Sequence, residues 1–200
     1  MATSEVSLGG NPPLRPYLIA HAMAVLAMIV GLRLEGRSWF CGCGSWVPWT
    51  IDVNSEHCSQ HMFDAYTSSH VLHGVVFFGA FWLLRTKISG AWRLWGCLVV
   101  EAMWEVLENS AFVIDRYRTG TMALGYEGDS ITNSLCDLAS CMGGYLIANQ
   151  LPWKWSVAFF LAVELVLLLL IRDSLVLNVV MLVYPLDVIK QWQMGGWQDR

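Results

Sequence analysis

The chain has 200 residues, of which 56% are hydrophobic and 14% charged, against ~25% charged in a typical soluble domain. With a mean hydropathy of +0.47 and 11 tryptophans, a soluble monomer could not hide its apolar surface and keep a wet exterior. The net charge of −4 leaves no basic footprint for nucleic acid. A disordered chain, a nucleic-acid binder and an ordinary cytosolic enzyme are excluded, and an integral membrane protein remains.

Residues 1–16 are polar and carry Gly9-Gly10-Asn11-Pro12-Pro13, the composition of a mobile tail. No small-residue cleavage site follows the first apolar stretch, which therefore reads as retained. A membrane-spanning helix needs ~20 mostly apolar residues. Five segments meet or approach that length: 17–34, 66–84, 91–114, 131–151 and 153–171. A sixth, 174–192, carries Asn178, Pro185 and Asp187 and is expected either to span with a kink or to lie in the interface. The expected fold is an all-α polytopic transmembrane bundle of five or six spans, forming one domain over residues 17–195.

Lysine and arginine in short loops set orientation. Arg85, Lys87 and Arg93 crowd the connection between the second and third spans, and Lys154 lies between the fourth and fifth. Arg15 precedes the first, and Lys190 and Arg200 follow the body of the sixth. These alternate as a six-span topology with the N-terminus inside requires, although Arg33, Arg37, Arg116, Arg118 and Arg172 on the other side make the bias modest. Loops 35–65 and 115–130 are then outside. The first holds Cys41, Cys43 and Cys58, of which Cys58 could pair with either other in an oxidising compartment. Cys97, Cys136 and Cys141 fall within spans and read as small buried hydrophobes.

Ionisable side chains at membrane depth cost at least ~2.5–3.5 kcal/mol each at a helix centre, so those present carry information. His70 and His73 share one face of the second span. Glu101, Glu105 and Glu108 form one stripe on the third, and Asp129, Asn133 and Asp137 follow i,i+4 spacing into the fourth. At 1.5 Å rise per residue, His70 and His73 lie roughly 6 and 10 Å below the outer end of their span, and Asn133 and Asp137 roughly 6 and 12 Å below Asp129. Glu108 and Glu105 lie roughly 10 and 15 Å below Ile114. Three helices thus offer polar faces at one depth, the arrangement of a single chamber open to the extracytoplasmic side.

Carboxylates and imidazoles on facing helices can hold a divalent metal, although the Glu-x-x-His pattern of di-iron bundles is absent. His57-x-x-x-His61, with Asp64 one turn on, fits a zinc site if that stretch is helical; Cys58 replaces the glutamate of a zincin motif. The candidate metal ligands are His61, Asp64, His70 and His73. Glu105, Glu108, Asp129 and Asp137 are the candidate catalytic acids and bases, because neighbouring buried carboxylates can hold a proton near neutral pH.

Asn133, Arg116 and Arg118 are candidate ligand-binding groups, the arginines by bidentate contact with a lipid phosphate or, alternatively, paired with Asp115, Glu127 or Asp129. Gly143-Gly144 suits a close helix contact, and Asp129 or Ser130 suits an N-cap. Trp39, Trp46, Trp49, Trp92, Trp95, Trp153, Trp155, Trp192 and Trp197 mostly flank spans, as an aromatic belt does. Glu164 has no evident partner in the sequence.

The strings Cys41-Gly42-Cys43-Gly44, Ser59-Gln60-His61, Tyr66-Thr67, Ser69-His70 and His73-Gly74 resemble a family of uncharacterised bacterial multi-pass membrane proteins, domain of unknown function 2585. Trp104-Glu105, Glu108-Asn109, Arg116-Tyr117-Arg118, Gly128-Asp129-Ser130, Asn133-Ser134 and Asp137 extend the resemblance, as do Arg172-Asp173, Leu175, Leu177-Asn178, Met181-Leu182 and Pro185. It covers roughly residues 17–195; Cys58 and Ala65 depart from a pattern that carries asparagine and tryptophan there. The resemblance implies a bacterial inner-membrane location and no established activity. The Asp-Ser-x-x-Asn-Ser…Gly-Gly run is more loosely similar to the last helix of the VanZ-like proteins.

Two functional classes follow. One is a membrane enzyme or metal-dependent protein acting on an envelope lipid or lipid-linked substrate. The other is a small transporter or an accessory or assembly protein without catalysis. Membrane lipids are the expected partners. The expected cytoplasmic half is apolar apart from Glu101 and Glu164, which favours a chamber closed on one side.

Overall fold

The computed structural model describes residues 13–195. Most of the expected tail, 1–16, and Trp197 and Arg200 of the terminal readings, lie outside the described residues. Eight helices follow in order among the described residues: α1 (Leu14–Leu34), α2 (Thr67–Trp82), α3 (Gly90–Glu108), α4 (Ala111–Gly120), α5 (Ile131–Gln150), α6 (Trp153–Ile171), α7 (Leu175–Val183) and α8 (Asp187–Gly195). The only bridge between extended segments among them joins Trp49 to Phe63.

The breaks have local causes. The expected third span, 91–114, ends at Glu108 because Asn109 turns its amide onto the Glu105 carbonyl, 2.9 Å away, a side-chain competitor for the helical ladder. Ser110 then starts α4 by accepting the Val113 N–H, so part of the expected outer loop 115–130 is helical. The sixth segment, 174–192, breaks at Pro185 into α7 and α8, since proline lacks the N–H and clashes with the preceding turn. Arg172, at φ 54°, ends α6. Ser130 rather than Asp129 caps α5, its Oγ accepting the Asn133 N–H at 3.1 Å.

Glycine sets the spacing of α2 and α5, the two helices at the heart of the bundle. A Cβ on Gly74 would fall 1.9 Å from the Cys141 carbonyl oxygen, and one on Gly144 would fall 1.9 Å from that of Val71. Only hydrogen fits at either point, and small residues let helix backbones approach this closely. Gly143, one residue away, faces open space. α1 packs on α3 and α5 through Met28, Leu32, Leu98, Ala102, Ile131 and Leu138.

The outside of the bundle is apolar and its interior polar. Leu169 is 73% exposed and Leu18 56%, whereas Glu101 and Glu105 are 0% exposed. Two helices, α1 and α6, are long and apolar enough to cross a membrane. α2, α3 and α5 fall short of that measure, so length and composition support two spans directly and not the five or six expected. The reason lies in the sequences: α2 has 16 residues, α3 carries three glutamates and Arg93, and α5 is diluted by Thr132, Asn133, Ser134 and Asp137.

A polar chamber between three helices

The three polar stripes face one another. Each turn of α2 meets one turn of α3 and one of α5, and the character of the layers changes with depth. In the upper layer His70 lies among carboxylates: its Nδ1 is 2.7 Å from Glu101 Oε1 and 3.4 Å from Glu105 Oε1, and its Nε2 is 3.9 Å from Asp137 Oδ2. One turn deeper, His73 Nδ1 lies 3.0 Å from Glu101 Oε2. Below that, Cys97, Cys141 and Tyr145 pack with Phe77, Phe78, Phe81 and Leu94 as an apolar plug.

Glu101 therefore joins the two layers. Both imidazoles turn Nδ1 toward it; with the hydrogen on Nδ1, Glu101 accepts from both and each Nε2 is left with a lone pair. This is the role a carboxylate plays behind metal-ligating histidines. The sequence reading placed Glu101 apart, in the apolar half; the structure corrects this, because α2 and α3 run antiparallel and the deeper histidine meets the deeper glutamate. Glu164, for which the sequence offers no evident partner, lies outside this cluster and finds its partners in the backbone. Its oxygens accept the N–H groups of Leu175 and Val176 at 2.9 and 3.3 Å, satisfying donors that the start of α7 would otherwise leave open.

At the rim, Asp129 is held through Oδ2 and its backbone N–H. Its Oδ2 accepts from Asn109 Nδ2 at 2.8 Å and Tyr126 at 2.9 Å, while its N–H donates to Asn109 Oδ1. Burial pushes the Asp129 carboxyl above its usual range, and the Tyr126 and Asn109 hydrogen bonds oppose this. Glu108 accepts from the Tyr117 hydroxyl at 2.8 Å. By contrast, both oxygens of Glu105 and Oδ1 of Asp137 are buried without a hydrogen-bond donor. Five carboxylates, those of Glu101, Glu105, Glu108, Asp129 and Asp137, thus gather around two imidazoles. Single donor atoms of His70, Glu105 and Glu108 lie within 4.8 Å of one another, as do those of His70, His73 and Glu101. Either triad could hold a divalent cation.

A cavity with about 80 Å³ of space for water-sized molecules adjoins these groups. Its polar lining includes His70, His73, Glu108, Asp129, Asn133 and Asp137, and its apolar lining Trp104, Val179 and Leu182. Ser59, Asp64 and Tyr126 line it from the two connecting loops.

The remaining expected site residues have other hydrogen-bond partners. Asn133 Nδ2 donates to the His61 carbonyl at 2.9 Å, fastening the 35–65 loop to α5. His61 turns its ring toward Cys43, while Asp64 accepts the N–H groups of Ser59, Tyr66 and Thr67 at the start of α2; the two do not form one ligand group. Arg116 donates to the carbonyls of Leu182 and Val183, and Arg118 to that of Tyr126. These arginines hold backbone rather than the chamber. Cys58 points at Asp64 Oδ2, 3.7 Å away, and the cysteines are free, so the expected pairing with Cys41 or Cys43 is not formed. Sequence reasoning missed Tyr117, Tyr126 and Asn109 as carboxylate partners; a phenol or amide just outside a span carries no spacing signal that marks it.

The fold and site define a class: a helical protein with an apolar exterior and a buried cluster of carboxylates and histidines. A family described as "Protein of unknown function (DUF2585)" matches residues 32–195, and the chain belongs to that family. It is 43% identical to a UPF0314 protein of Paracoccus denitrificans over 89% of this chain and 92% of the relative. It is 42% identical to a UPF0314 protein of Agrobacterium fabrum over 96% and 97% of the two chains. A UPF0314 protein of Brucella anthropi is 43% identical, covering 86% and 88%. These matches add nothing to the looser VanZ likeness. No solved structure matches the chain significantly.

Proposed function

We propose that the protein is a multi-pass inner-membrane metalloprotein whose chamber binds a divalent cation and acts on an envelope lipid or lipid-linked substrate. In this reading α2, α3 and α5 cross the bilayer beside α1 and α6. Their polar faces turn inward, the N-terminus is cytoplasmic and the chamber faces outward. The buried, donorless oxygens of Glu105 and Asp137 carry the proposal. Carboxylate oxygens without a hydrogen-bond donor are expensive at such depth, and a divalent cation bound with His70 and Glu108 offsets that cost. Bound there, the cation would act as a Lewis acid and lower the pKa of a coordinated water. Asp137, 3.9 Å from His70 Nε2, is placed to take up a proton.

Two observations support the substrate class and the one-sided chamber. The cavity is itself amphipathic, lined by carboxylates and imidazoles and also by Trp104, Val179 and Leu182, as a headgroup joined to hydrocarbon requires. The plug below Glu101 opposes a through-going polar path, which favours an enzyme over a transporter.

The test is genetic and chemical. Cells lacking the gene should accumulate an envelope lipid or lipid-linked precursor. Wild-type protein should restore the profile, whereas Glu105→Gln and Asp137→Asn, present at equal levels in the membrane, should not. Restoration by both variants would refute the catalytic reading.

A further inference from the structure

A second cluster of metal-ligating groups lies in the 35–65 loop, apart from the chamber. Cys41 Sγ is 3.6 Å from His57 Nδ1, and Cys43 Sγ is 3.7 Å from His61 Nε2. Single donor atoms of all four residues lie within 4.8 Å of one another. We propose that Cys41, Cys43, His57 and His61 form a structural zinc site that clips this loop over the chamber.

The geometry fits the ion. With Zn–S of about 2.3 Å and Zn–N of about 2.05 Å, a tetrahedral centre places sulfur and nitrogen about 3.6 Å apart. Both observed sulfur–nitrogen distances match that edge. They are long for hydrogen bonds to nitrogen and natural for two ligands sharing a metal. Two thiolates and two imidazoles form a soft, neutralising set that selects zinc over magnesium or calcium.

The surroundings fit as well. Each sulfur accepts a backbone N–H, Cys41 from Cys43 at 3.4 Å and Cys43 from Ser45 at 3.3 Å, which holds both sulfurs in place within the turn. The Cys-Gly-Cys-Gly turn depends on Gly44 at φ 73°, a conformation open to glycine at little cost. The His57 and His61 rings stack at 4.7 Å between centroids and 28° between planes, so both present nitrogens toward the same turn. His61 is buried, and its Nδ1 has no hydrogen-bond partner; the ring's polar engagement is directed at Cys43.

Four protein ligands leave no open position, so the site is structural rather than catalytic. Its effect follows from what the clipped segment touches. The carbonyls of Ser59, Gln60 and His61 accept from Ser130 N, Ser130 Oγ and Asn133 Nδ2, each at 2.9 Å. Gln60 Nε2 donates to the Gly128 carbonyl at 2.7 Å. Fixing residues 57–61 thus fixes the roof of the chamber against the start of α5.

The experiment is metal analysis of full-length protein purified in detergent from zinc-supplemented cells, followed by replacement of zinc with cobalt. The expected result is one zinc per chain, and cobalt protein showing thiolate-to-cobalt charge transfer with the intense bands of a tetrahedral site. The double variant Cys41→Ser/Cys43→Ser should lose zinc and these bands, while Cys58→Ser, whose thiol faces Asp64, should keep both. A chelator should lower the melting temperature of wild type by more than that of the double variant, which has no loop zinc to lose. Zinc-free wild-type protein, cobalt bands without thiolate character, or a disulfide involving Cys41 or Cys43 would each overturn the proposal. If zinc is lost in Glu105→Gln and kept in the double variant, the metal belongs to the chamber, and the loop site is refuted without touching the proposed function.

Discussion

Adjacent glycines in α5 should respond oppositely to the same methyl group. On Gly144 the added Cβ would lie 1.9 Å from the Val71 carbonyl oxygen and 2.8 Å from its carbon. Ordinary contact begins near 3.4 Å, so α2 and α5 must separate by roughly 1.5 Å, because backbone cannot rotate away as a side chain can. Overpacking of this kind costs ~1–3 kcal/mol, and a backbone clash belongs at the upper end. For a chain of this size that is about 6–12 °C in Tm at 2–4 °C per kcal/mol. On Gly143 the methyl group meets nothing within 4 Å, and alanine is favoured over glycine within a helix by ~0.8–1.0 kcal/mol. Gly143→Ala should therefore leave the melting temperature unchanged or raise it slightly. The assay is thermal unfolding of each purified variant in one detergent. Equal stability of Gly144→Ala and wild type, or a larger loss in Gly143→Ala, would refute the helix packing and with it the placement of Asp137 beside His70.

Replacing Glu101 with Gln leaves one good acceptor for two imidazole N–H groups, which should cost about 1.5–3 kcal/mol and show as a lower Tm; no loss would mean that Glu101 does not bridge His70 and His73. Glu164→Ala removes the acceptor of the Leu175 and Val176 N–H groups and should cost about 1–2 kcal/mol, with faster hydrogen exchange confined to those amides and the first turn of α7. Asp173, in the turn between α6 and α7, has its carboxyl pushed by burial from 3.8 up to about 6. Because the folded state holds this proton more tightly, the contribution to stability is full below about pH 4 and is lost as pH rises through 6, by roughly 3 kcal/mol. Asp173→Asn should flatten that slope in unfolding measured from pH 4 to 7. Alkaline phosphatase fused near Lys87 or Lys154 should be inactive and near Gly125 active; the reverse pattern would invert the proposed topology.

What the sequence disclosed was periodic. The stripes of His70 and His73, of Glu105 and Glu108, and of Asn133 and Asp137 follow from helical spacing, and their meeting at one depth follows from alternating helix directions. What it concealed was set by tertiary contact or by single turns. Asn109 and Ser110 end α3 through local side-chain bonds inside an otherwise continuous apolar run. Glu164 finds its donors across a left-handed turn at Arg172. Cys41 and Cys43 lie 16 and 18 residues from the histidines they face, in an irregular loop where no periodicity brings them together. Only α1 and α6 among the described residues are long and apolar enough to cross a membrane, because helices that line a polar chamber average their two faces into a modest hydropathy.

The central claim is that the buried carboxylates hold a cation. Manganese tests it most directly, since hard Mn2+ prefers carboxylate oxygen and imidazole and leaves a thiolate site to zinc. Electron paramagnetic resonance during titration of the purified protein with Mn2+ should show one tightly bound ion per chain. Glu105→Gln/Asp137→Asn should lose that ion while retaining its helical content, and Cys41→Ser/Cys43→Ser should keep it. Absence of tight Mn2+ binding in wild type, or its persistence in the chamber variant, would contradict the claim.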